Sequence, residues 1–257
     1  MSDPRARVLL GIVLCGVAGA IFLGPQSSGG APAWQVAGEF FGAALSPSMT
    51  TAMGDALLPV AMAGAWATVK FAVAAMVVAL CMAVPLALLC SERVWHGPGF
   101  VVVRTVVAGM RSIHELIWAV VLLAALGLTP ATAILALAIP SAGTMAKVFA
   151  ELLDEADDSA SAALVGLGAD PFQSVIIGAV PVALPSVIAF AFYRLECALR
   201  SSAVLGFFGF PTLGYHIHQA AENLQYAEVW TMLYALILLM GLAEWWSGAI
   251  RRRLEAA

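Results

Sequence analysis

Among the ionisable side chains inside or at the edge of strongly apolar stretches, six are candidates for function: Arg111, Glu115, Lys147, Arg194, Glu196 and Arg200. A charge in that setting is costly unless a partner, a polar cavity or a passing ion meets it. Two chemistries fit. The six could form a polar lining for an anion, or they could be structural ion pairs that fix helix positions. Glu196 and Arg200 stand i,i+4 in the favourable order for pairing on one helix face, which leaves Arg194 for another partner or an anion. Groups for bond-making chemistry are sparse. Glu115 and Glu196 each lack an acidic mate. His114-Glu115 opens like the zinc-protease H-E-x-x-H, but the second histidine is missing. His216 and His218 form an H-x-H, a spacing that suits one face of a strand better than a helix; a metal site and plain loop or interface histidines are the alternatives. The cysteines, Cys15, Cys81, Cys90 and Cys197, make no C-x-x-C pair and act as small hydrophobes in or beside apolar runs. There is neither a G-x-S-x-G elbow nor a P-loop. The chain is therefore expected not to be an enzyme and to need no metal or cofactor. Any ATP-driven work requires a second protein.

One strongly polar loop, residues 151–170, interrupts the middle of the chain. Asp158 or Ser159 can N-cap a short helix there. The acidic cluster Asp154, Glu155, Asp157 and Asp158 suits the positive end of that helix. Gly168 can take the left-handed conformation that ends it. Asp170 can cap the next helix, with Pro171 at its first position. The short helix presents Ala160, Ala162, Ala163 and Gly166, small side chains that let a partner's surface approach the backbone closely.

The elements that must position these groups are membrane spans. Of 257 residues, 62% are hydrophobic and 11% charged, and mean hydropathy is +0.94. Soluble domains carry about 25% charged residues. Runs long enough to span a bilayer fall at 60–90, 100–128, 131–149, 172–192 and 229–246. The run 100–128, divided by Arg104, Arg111, His114 and Glu115, reads as a membrane-entry helix followed by the span proper. Pro181 and Pro185 kink the span 172–192 to shape a gate, or simply pack there. A further run, 8–23, reads as a retained span; the alternative is a cleaved leader, for which Ala18-Gly19-Ala20 offers small residues. The architecture is an all-α membrane protein of about six transmembrane helices. Net charge is −4, and the one basic cluster, Arg251 to Arg253, closes the last apolar run as a membrane anchor, so nucleic acid is not a partner. Arg5, Arg7, Arg93 and Arg251 to Arg253 place both termini in the cytoplasm, and the segment 24–59, without Lys or Arg, outside. Arg194 and Arg200 dissent from that rule and must have local partners.

The loop resembles the cytoplasmic motif of ABC importer permeases: E-A-A, then Gly, then Pro thirteen residues after that Gly. Gly168 and Pro181 have that separation, and Ala162, Ala163 and Leu164 take the E-A-A positions, with the leading Glu absent. Arg111-Ser112-Ile113-His114-Glu115-Leu116-Ile117-Trp118-Ala119 resembles the R-x-I-P-E-L-x-W-A stretch of phosphonate-type permeases, with His114 for Pro. Residues 142–151 resemble their A-G-x-x-x-K-x-x-x-E, and residues 193–206 their Y-R-x-E-x-x-x-R-x-x-x-x-L-G. Gly209-Phe210-Pro211-Thr212-Leu213-Gly214 stands where the family continues with a G-A-G-G-I-G-like run. The likeness covers about residues 61–246.

This resemblance implies the type I importer permease (MetI-like) fold. Residues 1–60 would form an N-terminal span and periplasmic loop, and residues 61–250 the permease domain with a coupling loop at 151–171. Ala162, Ala163, Gly168, Ala169 and Asp170 would couple it to an ATPase dimer. A periplasmic substrate-binding protein and a second permease copy or paralogue would complete the complex in a bacterial inner membrane. The cargo would be a phosphonate or related phosphorus oxyanion. A permease for another small solute, a stand-alone secondary transporter and an intramembrane enzyme are the competing readings. The transporter would need internal repeats, of which none is convincing, and the enzyme would need paired catalytic groups.

Overall fold

The computed structural model describes residues 33–50, 56–94, 97–157 and 159–255. The run 8–23, Arg5, Arg7 and Asp158 lie outside them. The helices are α1 (Ala33–Ala43), α2 (Leu57–Cys90), α3 (Pro98–Ser112), α4 (Glu115–Leu126), α5 (Pro130–Glu155), α6 (Ser159–Gly166), α7 (Pro171–Ser174), α8 (Val180–Val204), α9 (Leu213–Glu222) and α10 (Tyr226–Glu255). A π turn, Val175–Ala179, joins α7 to α8, and a 3-10 turn, Leu205–Phe208, follows α8. No strand occurs among the described residues.

Four described segments are long and apolar enough to cross a bilayer: Leu57–Cys90, Pro130–Glu155, Phe172–Phe208 and Tyr226–Arg253. Helices α3 and α4 meet the criterion only as a pair, bent by 93°. This corrects the expectation of an entry helix followed by a full span. The 12 residues of α4 rise about 18 Å, short of the roughly 30 Å apolar core. The pair nonetheless runs alongside the length of α5. Arg104 of α3 lies beside Asp154 at the end of α5, whereas α4 runs directly into the start of α5 through the turn at Gly127, where φ is +73°. Against about six expected crossings, the described residues hold four, or five with the bent pair counted as one.

The span after the loop is also longer than expected. Helix continues through Arg194, Glu196 and Arg200 to Val204 because each of those charges finds a partner within the bundle, as described below.

Small residues let the helices pack. In α2, Ala72, Ala75, Ala79, Ala83 and Ala87 are buried along one stripe. In α5 the buried set includes Ala133, Ala136, Ala138, Ala142, Gly143, Ala146 and Ala150. Membrane helices associate through such close backbone approach, since lipid tails offer no hydrophobic contrast. Helix α5 is the central post, packed against α2, α3, α4 and α8. Helix α10 is the least covered span; Ile237, Leu238, Leu242 and Trp245 project away from the bundle.

Candidate functional site: a capped loop, a cationic groove and a mid-span charge network

The loop end is built by local capping. Asp157 accepts the Ser159 N–H at 3.1 Å, so among the described residues the capping oxygen of α6 comes from Asp157. Gly168 has φ +90°. Its N–H donates to Val165 O at 2.9 Å and the Ala169 N–H to Leu164 O at 3.0 Å, the pair of bonds that defines a Schellman stop. Asp170 accepts the Phe172 N–H at 3.2 Å, with Pro171 at the first helical position. Asp154 does not serve the α6 N-terminus as expected. It accepts the Ser91 hydroxyl at 2.6 Å and the Glu92 N–H at 3.2 Å, and Arg93 donates to its carbonyl at 3.0 Å. The α2–α3 elbow therefore caps the end of α5.

Helix α6 rests on the π turn. Ser161 is buried, and its hydroxyl donates to Ser174 O at 3.1 Å. A Cβ on Gly178 would lie 2.7 Å from Ser161 Oγ and 2.9 Å from its N. The π turn itself follows from Pro181. Proline has no N–H for the carbonyl four residues back. The ladder re-registers just upstream, where the Val180 N–H bonds Val175 O, a five-residue step. On the opposite side of α6, Ala160, Ala162, Ala163 and Gly166 are exposed, as are Gly168 and Asp170, while Ala169 is half-buried.

The six ionisable residues divide into separate places. Arg111 and Lys147 line one groove of about 150 Å³ between α3 and α5, together with Cys90, Arg104, Val107 and Glu151. Lys147 pairs with Glu151 at 3.1 Å, and Arg104 with Glu92 at 3.1 Å. Gly143 creates this groove, because a Cβ there would lie 2.9 Å from Met110 Cβ and 3.1 Å from Arg111 N. Close approach of α3 at Gly143 brings Arg111 to the same groove as Lys147, which lies one turn along α5.

The others lie along α8. Arg194 donates to the Ser141 hydroxyl at 2.9 Å, and its Nε meets no hydrogen-bond partner. Glu196 is buried and bonds Arg200; Arg251 approaches its other oxygen at 3.7 Å and lies over the Tyr193 ring. Glu115 accepts the Ser201 hydroxyl. The local partners required of Arg194 and Arg200 are therefore present.

The motif around Arg111 builds the bend between α3 and α4. His114 has φ −64° and caps α4 by accepting the Leu116 N–H on its side chain. That φ is the value proline would impose, so histidine substitutes for proline without changing the backbone. Trp118 Nε1 donates to Met110 O at 3.3 Å and satisfies an end carbonyl of α3.

The stretch 206–214 makes a backbone-on-backbone crossing. A Cβ on Gly206 would fall 2.0 Å from Tyr215 N, and one on Gly214 would fall 1.9 Å from Ala203 O. Between these glycines, Phe210 is buried against Phe71. The substitution at Phe210 is thus taken up by packing.

Thr68 ties the crossing to α2. Its hydroxyl accepts the Leu213 N–H at 3.1 Å, and its carbonyl accepts the Ser202 hydroxyl at 2.8 Å. His216 and His218 lie on helix α9, not on a strand. An i,i+2 pair on a helix points about 200° apart, so the two imidazoles do not converge. His218 meets Glu222 at 3.3 Å, and His216 packs on Gly64, where burial pushes its imidazole below the ordinary value.

Sequence reasoning missed Ser161, Gly178, Thr68 and Arg104. A glycine ten residues after Gly168, on a run otherwise fit for a span, was the available signal for the first contact. Thr68 gave none, because a threonine inside an apolar helix commonly bonds its own i−4 carbonyl, as Thr68 also does to Gly64 O.

Known proteins share this sequence and this bundle. Phosphate-import permease protein PhnE of Mycolicibacterium smegmatis is 32% identical over 186 residues, covering 72% of this chain and 35% of that protein. Phosphite transport system permease protein PtxC of Stutzerimonas stutzeri is 30% identical over 160 residues, covering 62% of this chain and 58% of that protein. The chain thus spans about a third to a little over half of the length of these relatives. Among solved structures, an inward-facing form of the MetNI methionine ABC transporter superposes with a TM-score of 0.66 at 21% identity, covering 77% of this chain and 97% of that one. An amino acid ABC transporter solved with histidines superposes with the same TM-score at 18% identity, covering 76% and 94%. The fold is that of a type I ABC importer permease. The family model for the binding-protein-dependent transport system inner membrane component matches residues 83–256, and the chain belongs to that family.

Proposed function

We propose that this chain is the permease subunit of an ABC importer and forms the translocation pathway for a phosphonate or related phosphorus oxyanion. The observation that carries the coupling half is the seating of α6. It is capped at both ends, presents Ala162 and Ala163 outward, and rests through Ser161 on the π turn that leads into α8. A helix held in this way suits a partner that pushes on it. An ATPase dimer gripping the loop, with contacts at Ala162, Ala163, Gly168, Ala169 and Asp170, would drive α8 through the π turn. A second permease copy or paralogue would enclose the pathway, and a periplasmic binding protein would deliver cargo. The membrane is the bacterial inner membrane, with the loop and both termini cytoplasmic. In this reading residues 1–60 form an N-terminal span and periplasmic loop and residues 61–250 the permease domain; α1 is seated on α10, where Trp230 Nε1 donates to Phe40 O at 2.7 Å. The cargo half draws on the relatives named for phosphate and phosphite.

The pathway role of the mid-span charges is narrower than the sequence allowed. Glu196 is shared by Arg200 and Arg251, and Glu115 is engaged by Ser201. They act as structural pairs. Arg194, with one bond to Ser141, keeps capacity for an anion.

The test is reconstitution in proteoliposomes with the ATPase, the second permease subunit and the binding protein. ATP hydrolysis should rise when the binding protein is loaded with phosphite or methylphosphonate, with matching uptake. A chain that purifies without an ATPase and carries solute alone would overturn the reading.

A further inference from the structure

The groove between α3 and α5 has features that the transport reading does not use. Its walls carry Arg104 and Arg111 from α3 and Lys147 and Glu151 from α5. The carboxylates are unevenly shared among the three cations. Arg104 has Glu92 and, at 3.9 Å, Asp154, and Lys147 has Glu151. Arg111 has no carboxylate within bonding range among the described residues, and its side chain is exposed toward the groove. The backbone that carries it is held against Gly143 at a distance no other residue would permit. Gly143 and Lys147 are separated by one helical turn, so the contact that fixes Arg111 also sets its distance from Lys147. A guanidinium without its own carboxylate, sharing a recess with the Lys147–Glu151 pair and with apolar walls at Val107 and Ala108, is a site for an anion. The guanidinium fork matches the oxygens of a phosphoryl group bidentately, and the ammonium adds a point charge. The recess holds roughly the volume of five waters, enough for a tetrahedral head.

We propose that this groove binds a tetrahedral phosphorus oxyanion through Arg111 and Lys147. The oxyanion has two sources, cargo leaving the pathway or the head of an anionic phospholipid in the adjoining leaflet. The first rests on the transport reading above and the second does not.

The test uses the assembled transporter in nanodiscs of neutral phosphatidylcholine. One arm titrates labelled methylphosphonate and phosphite by equilibrium dialysis. The other replaces part of the lipid with phosphatidylglycerol and counts the phospholipids retained on the protein by native mass spectrometry. In at least one arm Arg111→Gln should weaken retention by about tenfold, the size expected for a hydrogen bond to a charged group. Lys147→Gln should weaken it less. Arg111→Lys should fall between, since it keeps the charge and loses the fork. Dependence in the dialysis arm identifies cargo, and dependence in the lipid arm identifies a phospholipid; either upholds the site. Arg111→Gln and Lys147→Gln that bind like the parent in both arms would overturn it. Lys147 is half-buried with a partly accessible side chain, so its variant keeps the test decisive if Arg111→Gln does not fold. ATP-driven uptake in the same particles separates the two proposals. Uptake that persists while neither variant alters binding removes the groove and leaves the transport reading standing. A parent without uptake removes the transport reading and leaves the lipid arm to decide the groove.

Discussion

Replacing Gly178 with alanine should detach α6 from the span it rests on. The new Cβ would stand 2.7 Å from Ser161 Oγ, 2.9 Å from Ser161 N and 3.0 Å from Ser161 Cα. Non-bonded carbon atoms settle near 3.5–4.0 Å, so α6 must retreat by about 0.5–1 Å. The Ser161–Ser174 bond, now 3.1 Å, would stretch beyond hydrogen-bond range. Overpacking costs about 1–3 kcal/mol, and the lost bond adds about 1 kcal/mol. The docked position of α6 should therefore weaken by roughly 2–4 kcal/mol, or about 30-fold to nearly 1,000-fold in its population ratio.

Hydrogen exchange of the amides in 159–168 reads this directly. Their protection should fall by at least about 30-fold, while that of α2 and α5 is unchanged. Coupled ATP hydrolysis should fall with it. Gly42→Ala is the control, because an added Cβ at Gly42 meets nothing within 4 Å. Ser161→Gly in the alanine background should rescue only in part, since it removes the hydroxyl but leaves the backbone of residue 161 in the way. Parental protection of α6 in Gly178→Ala would refute the argument that α6 is held by this contact.

Four further outcomes follow from other sites. Gly168→Val should abolish ATP-driven uptake while membrane insertion persists, because φ +90° costs a β-branched residue more than the roughly 1–2 kcal/mol typical of the left-handed region; normal uptake would sink the coupling role. Thr68→Val keeps the shape but orphans the Leu213 N–H and should cost about 1–3 kcal/mol, read as a lower thermal midpoint in detergent. Glu196→Gln leaves Arg200 and Arg251 without their shared carboxylate. Arg200 is more than half exposed, so the loss should be about 1–3 kcal/mol rather than the larger cost of breaking a fully buried pair. Burial lowers the His216 pKa, so the unfolded chain takes up this proton first as pH drops. Stability should be full above about pH 6.5 and decline below it, and His216→Gln should flatten that part of the profile.

Much of the fold is legible because bilayer physics is blunt. Apolar runs of the right length mark the crossings, and the capping residues Gly168, Asp170 and Pro171 announce the loop geometry that the structure contains. The limits of such reading lie where two distant segments meet. The i,i+4 spacing reveals the Glu196–Arg200 pair, but nothing local points to Arg251, which closes the network from another helix. The run 172–192 looks shorter than the helix it forms because charges mark its apparent boundary, whereas partners on α5 and α10 let the helix continue. The bend at His114 is hidden because histidine reproduces proline's backbone angle without proline's sequence signal. The alternation of His216 and His218 suggests a strand, but both lie on the helix Leu213–Glu222, where His216 packs on Gly64.

The seating of α6 has a consequence for how force would move through the molecule. Helix α6 leans on α7 and the π turn, and α5 is gripped by its neighbours along its length. A load on α6 is therefore delivered to α8 at the one place where its ladder steps by five instead of four. Under such a load the post would stay fixed and the displaced segment would turn about it like a crank on a shaft. The register shift beneath Pro181 would be the bearing, and a missing N–H on one proline would decide where the stroke enters the span.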